Sequence, residues 1–161
     1  MGAAVPIMRT ESEGERRWFL GGGIHTWKAR AEETGGAFLL FEDLMTRGKM
    51  TPLHRHPDVD ETLYVVEGEI LVQIGDTERA VGVGGVTLAP RGTAHAFMVT
   101  SDIARVLTLQ SPGTAQEFYR AASEPIGVDG RHGDVDFARV RESARKNGGT
   151  EILGPAPFTP A

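Results

Sequence analysis

Two glycine-bounded phrases, GKMTPLHRHPDVDETLYVVEG at residues 48–68 and GGVTLAPRGTAHAFMV at residues 84–99, limit what this chain can fold into. They hold His54, His56 and His95, three of the five histidines, together with Glu61. Pro52 and Pro57 each remove a backbone donor and fix φ, so no helix runs through the first histidine pair. On an extended strand, residues two apart share a face, which points His54 and His56 the same way. Glu61 lies five residues beyond His56, out of phase for a regular strand. Pro57 and the polar DVD stretch supply the bulge or loop that re-aims it inward. His95 opens a strand just after the turn Pro90-Arg91-Gly92, which lifts it toward the same point.

The rest of the first two-thirds of the chain has the same texture. FLLFEDLM (residues 38–45) reads as a buried strand, and ILVQI places Ile70, Val72 and Ile74 on one face. IHTWKAR, TLYVVEG, RAVGV, VTLAP, HAFMV and ARVLTLQ complete a series of short strands between glycine turns. Strands punctuated about every 8–12 residues predict a mainly β fold, a barrel or sandwich. After Pro112 the pattern turns helical. Thr114 is placed to cap one short helix ending before Pro125. Asp134 or Asp136 is placed to cap a second, with Phe137, Val140 and Ala144 at helical spacing and Asn147-Gly148 as its stop. The expected organisation is one domain over residues 1–161. It has a barrel core over about 18–111 and a helical appendage over about 112–161, because some 50 residues make a poor core alone.

Composition narrows the chemistry. The chain has no cysteine, so a bound metal must use nitrogen and oxygen ligands. Three neutral imidazoles and a carboxylate suit one divalent transition metal ion at roughly 2.0–2.2 Å, whether Fe, Ni, Mn, Co, Cu or Zn. On a six-coordinate ion, two positions stay open for a small-molecule substrate or dioxygen. A net charge of −5, with no clustered Lys/Arg stripe, argues against a nucleic-acid partner. No apolar run approaches the roughly 20 residues that cross a bilayer, so no membrane partner is expected. The N-terminus lacks the basic-then-apolar order of a secretory signal, which makes a cytoplasmic location the expectation.

A histidine pair alone is weak evidence for a metal site, since strand histidines are usually surface or core residues. The longer pattern is specific. Gly48-x5-His54-x-His56-x4-Glu61-x6-Gly68, followed by Gly84-x5-Pro90-x-Gly92-x2-His95, matches both halves of the cupin signature. Over about residues 35–110 the chain resembles a single-domain cupin, with Val99 standing where the second motif often has Asn. WFLGGGIHTWKAR and EILGPAPF also look like small bacterial quercetin 2,3-dioxygenase-like cupins. The resemblance implies a jelly-roll β-barrel with short C-terminal helices and a metal held by His54, His56, Glu61 and His95. It implies a dioxygenase acting on a flavonol-like or other enolisable aromatic molecule, with Glu61 as both ligand and general base. The same ligands suit a metal-assisted isomerase or polyketide-type cyclase without dioxygen, or a non-catalytic binding cupin. Apolar material at Trp18–Leu20 and Ile24–Trp27, more than a minimal barrel needs, implies a homodimer.

Such a substrate needs an apolar cavity, for which Phe38, Leu40, Leu63, Val65, Ile74, Phe97, Val99 and Leu107 are candidates. His25, beside Trp27, is a candidate for proton transfer, and Gln110 for a hydrogen bond near the site. Tyr64 is out of phase with Leu63 and is expected to face outward, Arg91 to be structural and His132 to be solvated.

Overall fold

Alternating burial runs along most strands and sorts them into two sheets. The structure is a computed structural model that describes residues 2–159. In chain order it forms β1 (Glu15–Phe19), β2 (Ile24–Ala29), β3 (Leu39–Thr46), β4 (Leu53–Arg55), β5 (Asp60–Glu67) and β6 (Glu69–Ile74). Then come β7 (Thr77–Gly82), β8 (Val86–Ala89), β9 (His95–Val99) and β10 (Ile103–Ser111). Helix α1 (Gln116–Ala121), strand β11 (Ser123–Pro125), helix α2 (Phe137–Asn147) and strand β12 (Glu151–Gly154) close the chain.

A seven-stranded sheet has the order β11-β1-β2-β3-β10-β5-β8, and a five-stranded sheet the order β12-β4-β9-β6-β7. Every pairing is antiparallel, as the mainly β jelly-roll expectation requires. The chain passes between sheets at short turns. Gly68 makes the β5–β6 turn with φ +75°, where an added Cβ would strike the Ile103 carbonyl. Only glycine tolerates that combination.

The core has two parts. Val65, Ile70, Val72, Val99 and Val106 pack between the sheets toward one end. Trp27, Leu39, Phe41, Val59, Phe118 and Val140 pack where the helices cover the seven-stranded sheet. Trp27 and Leu20 belong to this second part, so much of the N-terminal apolar material behind the homodimer expectation is used within the chain.

The C-terminal segment contributes more than helices. α2 starts at the expected cap, where Asp136 Oδ1 accepts from the Arg139 amide at 3.1 Å. It stops at Gly148, which takes φ +64°. α1 is shorter than expected and follows a turn of 3₁₀ helix at Gly113–Ala115 rather than a Thr114 cap. β11 adds to the seven-stranded sheet beside β1, and β12 adds to the five-stranded sheet beside β4. Residues beyond 112 therefore join both sheets. Among the described residues, no helix is long and apolar enough to cross a membrane.

Candidate metal centre

β4 is only three residues long, yet its pleat aims two imidazoles. His54 is buried, Arg55 faces solvent and pairs with Glu151 at 2.7 Å, and His56 just beyond is buried again. Across the five-stranded sheet, His95 at the start of β9 sits directly opposite His54. The chain then crosses at residues 57–59 to the other sheet, where Glu61 is the second residue of β5 and is buried. Its odd spacing thus reflects a change of sheet through the loop, with no bulge inside one strand. Three imidazoles from one sheet meet a carboxylate from the other.

One donor atom from each of His54, His56, Glu61 and His95 lies within 4.8 Å of the other three. His56 Nε2 is 3.3 Å from Glu61 Oε1, and His95 Nε2 is 3.0 Å from Glu61 Oε2. The far side of every ring is tied to a backbone carbonyl. His54 Nδ1 donates to Pro52 O at 2.8 Å, His56 Nδ1 to Gly149 O at 2.7 Å, and His95 Nδ1 to Thr93 O at 2.8 Å. A carbonyl can only accept, so in each neutral ring the proton sits on Nδ1 and the Nε2 lone pair faces inward. This is the outer support that metal-bound histidines use. His95 Nε2 is buried without an aligned hydrogen-bond partner, an orphan that a metal ion would satisfy. Ligands roughly 2.0–2.2 Å from one ion lie about 3–4.4 Å apart, so donor atoms within 4.8 Å of one another need to draw in by only a few tenths of an ångström to share a single ion.

The electrostatics agree. Burial alone would raise the Glu61 pKa, but His56 and His95 outweigh it and hold the carboxyl well below its usual range. Burial would lower His95, but the Glu61 carboxylate beside it raises it instead. His54 is pushed down to about 3 by burial first, then by His95 and His56. Glu61 Oε1 also accepts from Gln110 Nε2 at 2.6 Å, which in turn donates to the Tyr119 hydroxyl at 2.9 Å. Gln110, a candidate for such a hydrogen bond, thus reaches the site. Tyr119, on α1, has no spacing signal in the sequence and was not anticipated.

A second polar group faces the same cavity. His25, a candidate for proton transfer whose simpler reading is ordinary packing, stands opposite Asp43 across β2 and β3, with Nε2 3.2 Å from Asp43 Oδ1. Thr108 donates to Asp43 Oδ2 at 3.0 Å. Burial lifts the Asp43 pKa to about 7 against the pull of Thr108 and Lys49. Burial also lowers Lys49 to about 8 and His25 to about 3. Asp43 was missed in the sequence, although a signal was there: it shares the buried face of Leu39, Phe41 and Met45 in an alternating strand. Lys49 carried no such signal.

The cavity has a free volume of about 60 Å³ and reaches His54, His56 and Glu61. Phe19, Phe41, Phe97, Phe118 and Tyr119 form much of its wall. Of the apolar candidates, Leu63 and Phe97 line it. Phe38, Leu40 and Leu107 have the opposite strand parity to the buried Leu39, Phe41, Val106 and Thr108, while Val65 and Val99 belong to the core between the sheets, with Ile74 packed against it. Tyr64 faces outward, and Arg91 pairs with Asp60 at 2.8 Å, as expected. His132 is exposed and stacks on Trp18 at 3.7 Å.

Residues 41–109 match the cupin domain model. Quercetin 2,3-dioxygenase of Bacillus subtilis (strain 168) is 25% identical over 122 residues, covering 76% of this chain and 36% of that protein. The chain therefore spans little more than a third of that relative's length. Among solved structures, KdgF from Halomonas sp. superposes with a TM-score of 0.61 at 21% identity, covering 67% of this chain and 94% of its own. The polyketide cyclase RemF from Streptomyces resistomycificus gives 0.57 at 22% identity, covering 66% and 80%. These likenesses establish the fold, a double-stranded β-helix built from two antiparallel sheets.

His54→Ala and His95→Ala are each expected to lose bound metal while keeping the wild-type circular dichroism spectrum. Elemental analysis checks this, and equal metal content in wild type and variants contradicts it. The Asp43 pKa is about 7 folded against 3.8 as the ordinary value. The folded chain thus holds this proton more tightly, so the contribution to stability is present at low pH and lost as pH rises from about 4 to about 7. The loss is at most about 4 kcal/mol. Asp43→Asn is therefore expected to raise the melting temperature at pH 8 and change it little at pH 4, and calorimetry showing no pH-dependent gain contradicts it.

Proposed function

We propose that this cupin-domain protein is a metal-dependent oxygenase that acts on a small enolisable aromatic molecule. The observation that carries the reading is the convergence of three Nε2 lone pairs and one buried carboxylate at the edge of an aromatic-lined cavity, which His54, His56 and Glu61 line. Four protein ligands leave coordination positions for substrate, which a closed structural site would not. The similarity to quercetin 2,3-dioxygenase supports the oxygenase class. The free volume of about 60 Å³ is far below the 300–1,000 Å³ of pockets for drug-sized ligands, which favours a single-ring substrate over a three-ring flavonol.

A divalent ion held by His54, His56, Glu61 and His95 would act as a Lewis acid toward a substrate hydroxyl. Glu61 takes the hydroxyl proton, as ligand and general base in one group. Gln110 holds Oε1 at 2.6 Å, which keeps Oε2 facing the centre. The Tyr119 phenol stays protonated, since burial and then Glu61 hold its pKa well above the usual value. Phe41, Phe97 and Phe118 receive the ring and exclude water. All four ligands come from one chain, so the centre is complete in a single copy.

A second reading is a metal-assisted isomerase or cyclase with the same ligands and no dioxygen. The His25–Asp43 pair favours it, because it gives the cavity an acid–base group apart from Glu61. An oxygen electrode separates the two readings. Protein loaded with iron, nickel, manganese or cobalt is expected to consume oxygen with α-hydroxyacetophenone and more slowly with quercetin. No uptake with either compound and any of the four metals overturns the oxygenase reading.

A further inference from the structure

We infer that Lys49 is an anion anchor, and that the cavity takes a small aromatic carboxylate whose acid group binds the Lys49 ammonium while its enolisable end faces the histidines. The assignment rests on the oxygenase reading for the enolisable end and on Lys49 for the carboxylate.

Lys49 lies in the loop between β3 and β4, partly buried, and it lines the cavity. It also lines a groove outside that includes Gly21, Gly22, Met45 and Phe137, residues common to groove and cavity. The ammonium therefore stands where the outer groove meets the inner space. Its polar contacts are carbonyls, Gly21 O at 2.8 Å and Met50 O at 3.4 Å. Phe19 and Phe97 lie 5.5 and 5.9 Å away, ring centroid to Nζ. Among the described residues no carboxylate is within salt-bridge distance of Nζ, whereas the partly buried Arg105 and the buried Arg17 each have one. Lys28 on β2 also meets only carbonyls, but it lines neither the cavity nor the groove.

An ammonium has three donors, and a partly desolvated one gains most from a charged acceptor. A divalent ion at the histidine centre would more than offset the charge of Glu61, and Lys49 adds a further positive charge that Asp43, which holds its proton up to about pH 7, balances only in part. An anionic substrate neutralises that surplus; a neutral one leaves it standing. A second polar atom in the same wall is also unused. His25 Nδ1 is buried with no hydrogen-bond partner, while its Nε2 faces Asp43. The inner space of about 60 Å³ is lined by aromatic rings, and Lys49 stands where it opens to the outer groove, so the acid group lies toward the groove and leaves the inner space to the rest of the molecule. These features together describe an arylpyruvate-like acid: one ring, one enolisable carbon, one carboxylate.

The test is calorimetric titration of the zinc-loaded protein with phenylpyruvate and with its uncharged methyl ester. One charge-assisted hydrogen bond predicts that wild type prefers the acid by about tenfold or more. Lys49→Met is expected to bring acid and ester within about twofold, and Lys49→Arg to retain the preference, with zinc content unchanged in both. A merely structural lysine would alter stability without altering the acid-to-ester ratio. Equal wild-type affinities, no binding of the acid, or an undiminished preference in folded Lys49→Met each overturn the proposal. The wild-type comparison stands even if the variant does not fold. If the protein takes up no zinc, the metal reading fails, and the acid-to-ester ratio on metal-free protein still decides the role of Lys49.

Discussion

Three short hydrogen bonds, each from a histidine Nδ1 to a backbone carbonyl, set the character of this molecule. Each one selects a tautomer and fixes a ring plane, so that three Nε2 lone pairs meet at one point. The carbonyls have different origins. Those of Pro52 and Thr93 lie two residues before the histidines they hold, in the loops that lead into β4 and β9. That of Gly149 comes from the far end of the chain, between α2 and β12. The C-terminal segment thereby supports the centre directly: it aligns His56 and, through Tyr119, reaches the Gln110–Glu61 contact.

Such a cluster carries a cost. Three imidazoles and a carboxylate packed out of water, with His95 Nε2 left unpartnered, do not stabilise a fold by themselves. The two parts of the core offset that cost from either side, one between the sheets and one under the helices. The cavity occupies the gap between them, which is why its wall mixes Leu63 and Phe97 from one with Phe41 and Tyr119 from the other. The sheets also divide the chemistry. The five-stranded sheet supplies the imidazoles, while the seven-stranded sheet supplies Glu61 and the polar row His25–Asp43–Thr108.

Much of this was legible in the residues. Period-two alternation identified most strands, and the glycine-bounded spacing singled out the four candidate ligands that the fold brings together. Where reading failed, the cause was contact between segments distant in sequence. β11 and β12 are too short to show alternation and exist because β1 and β4 offer open edges. Tyr119 matters only because α1 lays it against Gln110. Lys49 sits in a loop with no period at all, so nothing local marked it as facing inward. Glu61 was a partial success. Its spacing called for a bulge or loop, which residues 57–59 supply, but nothing local indicated that Gln110 holds one oxygen at 2.6 Å and His95 stands 3.0 Å from the other.

The central claim is that one metal ion is held by three imidazole nitrogens and one carboxylate within a single chain. X-ray absorption at the metal edge, on protein purified without added metal, examines that claim most directly. The account predicts a first shell of nitrogen and oxygen only, at about 2.0–2.2 Å, with the outer-shell scattering of about three imidazoles. A shell without imidazole scattering, or a single imidazole per metal, would contradict it.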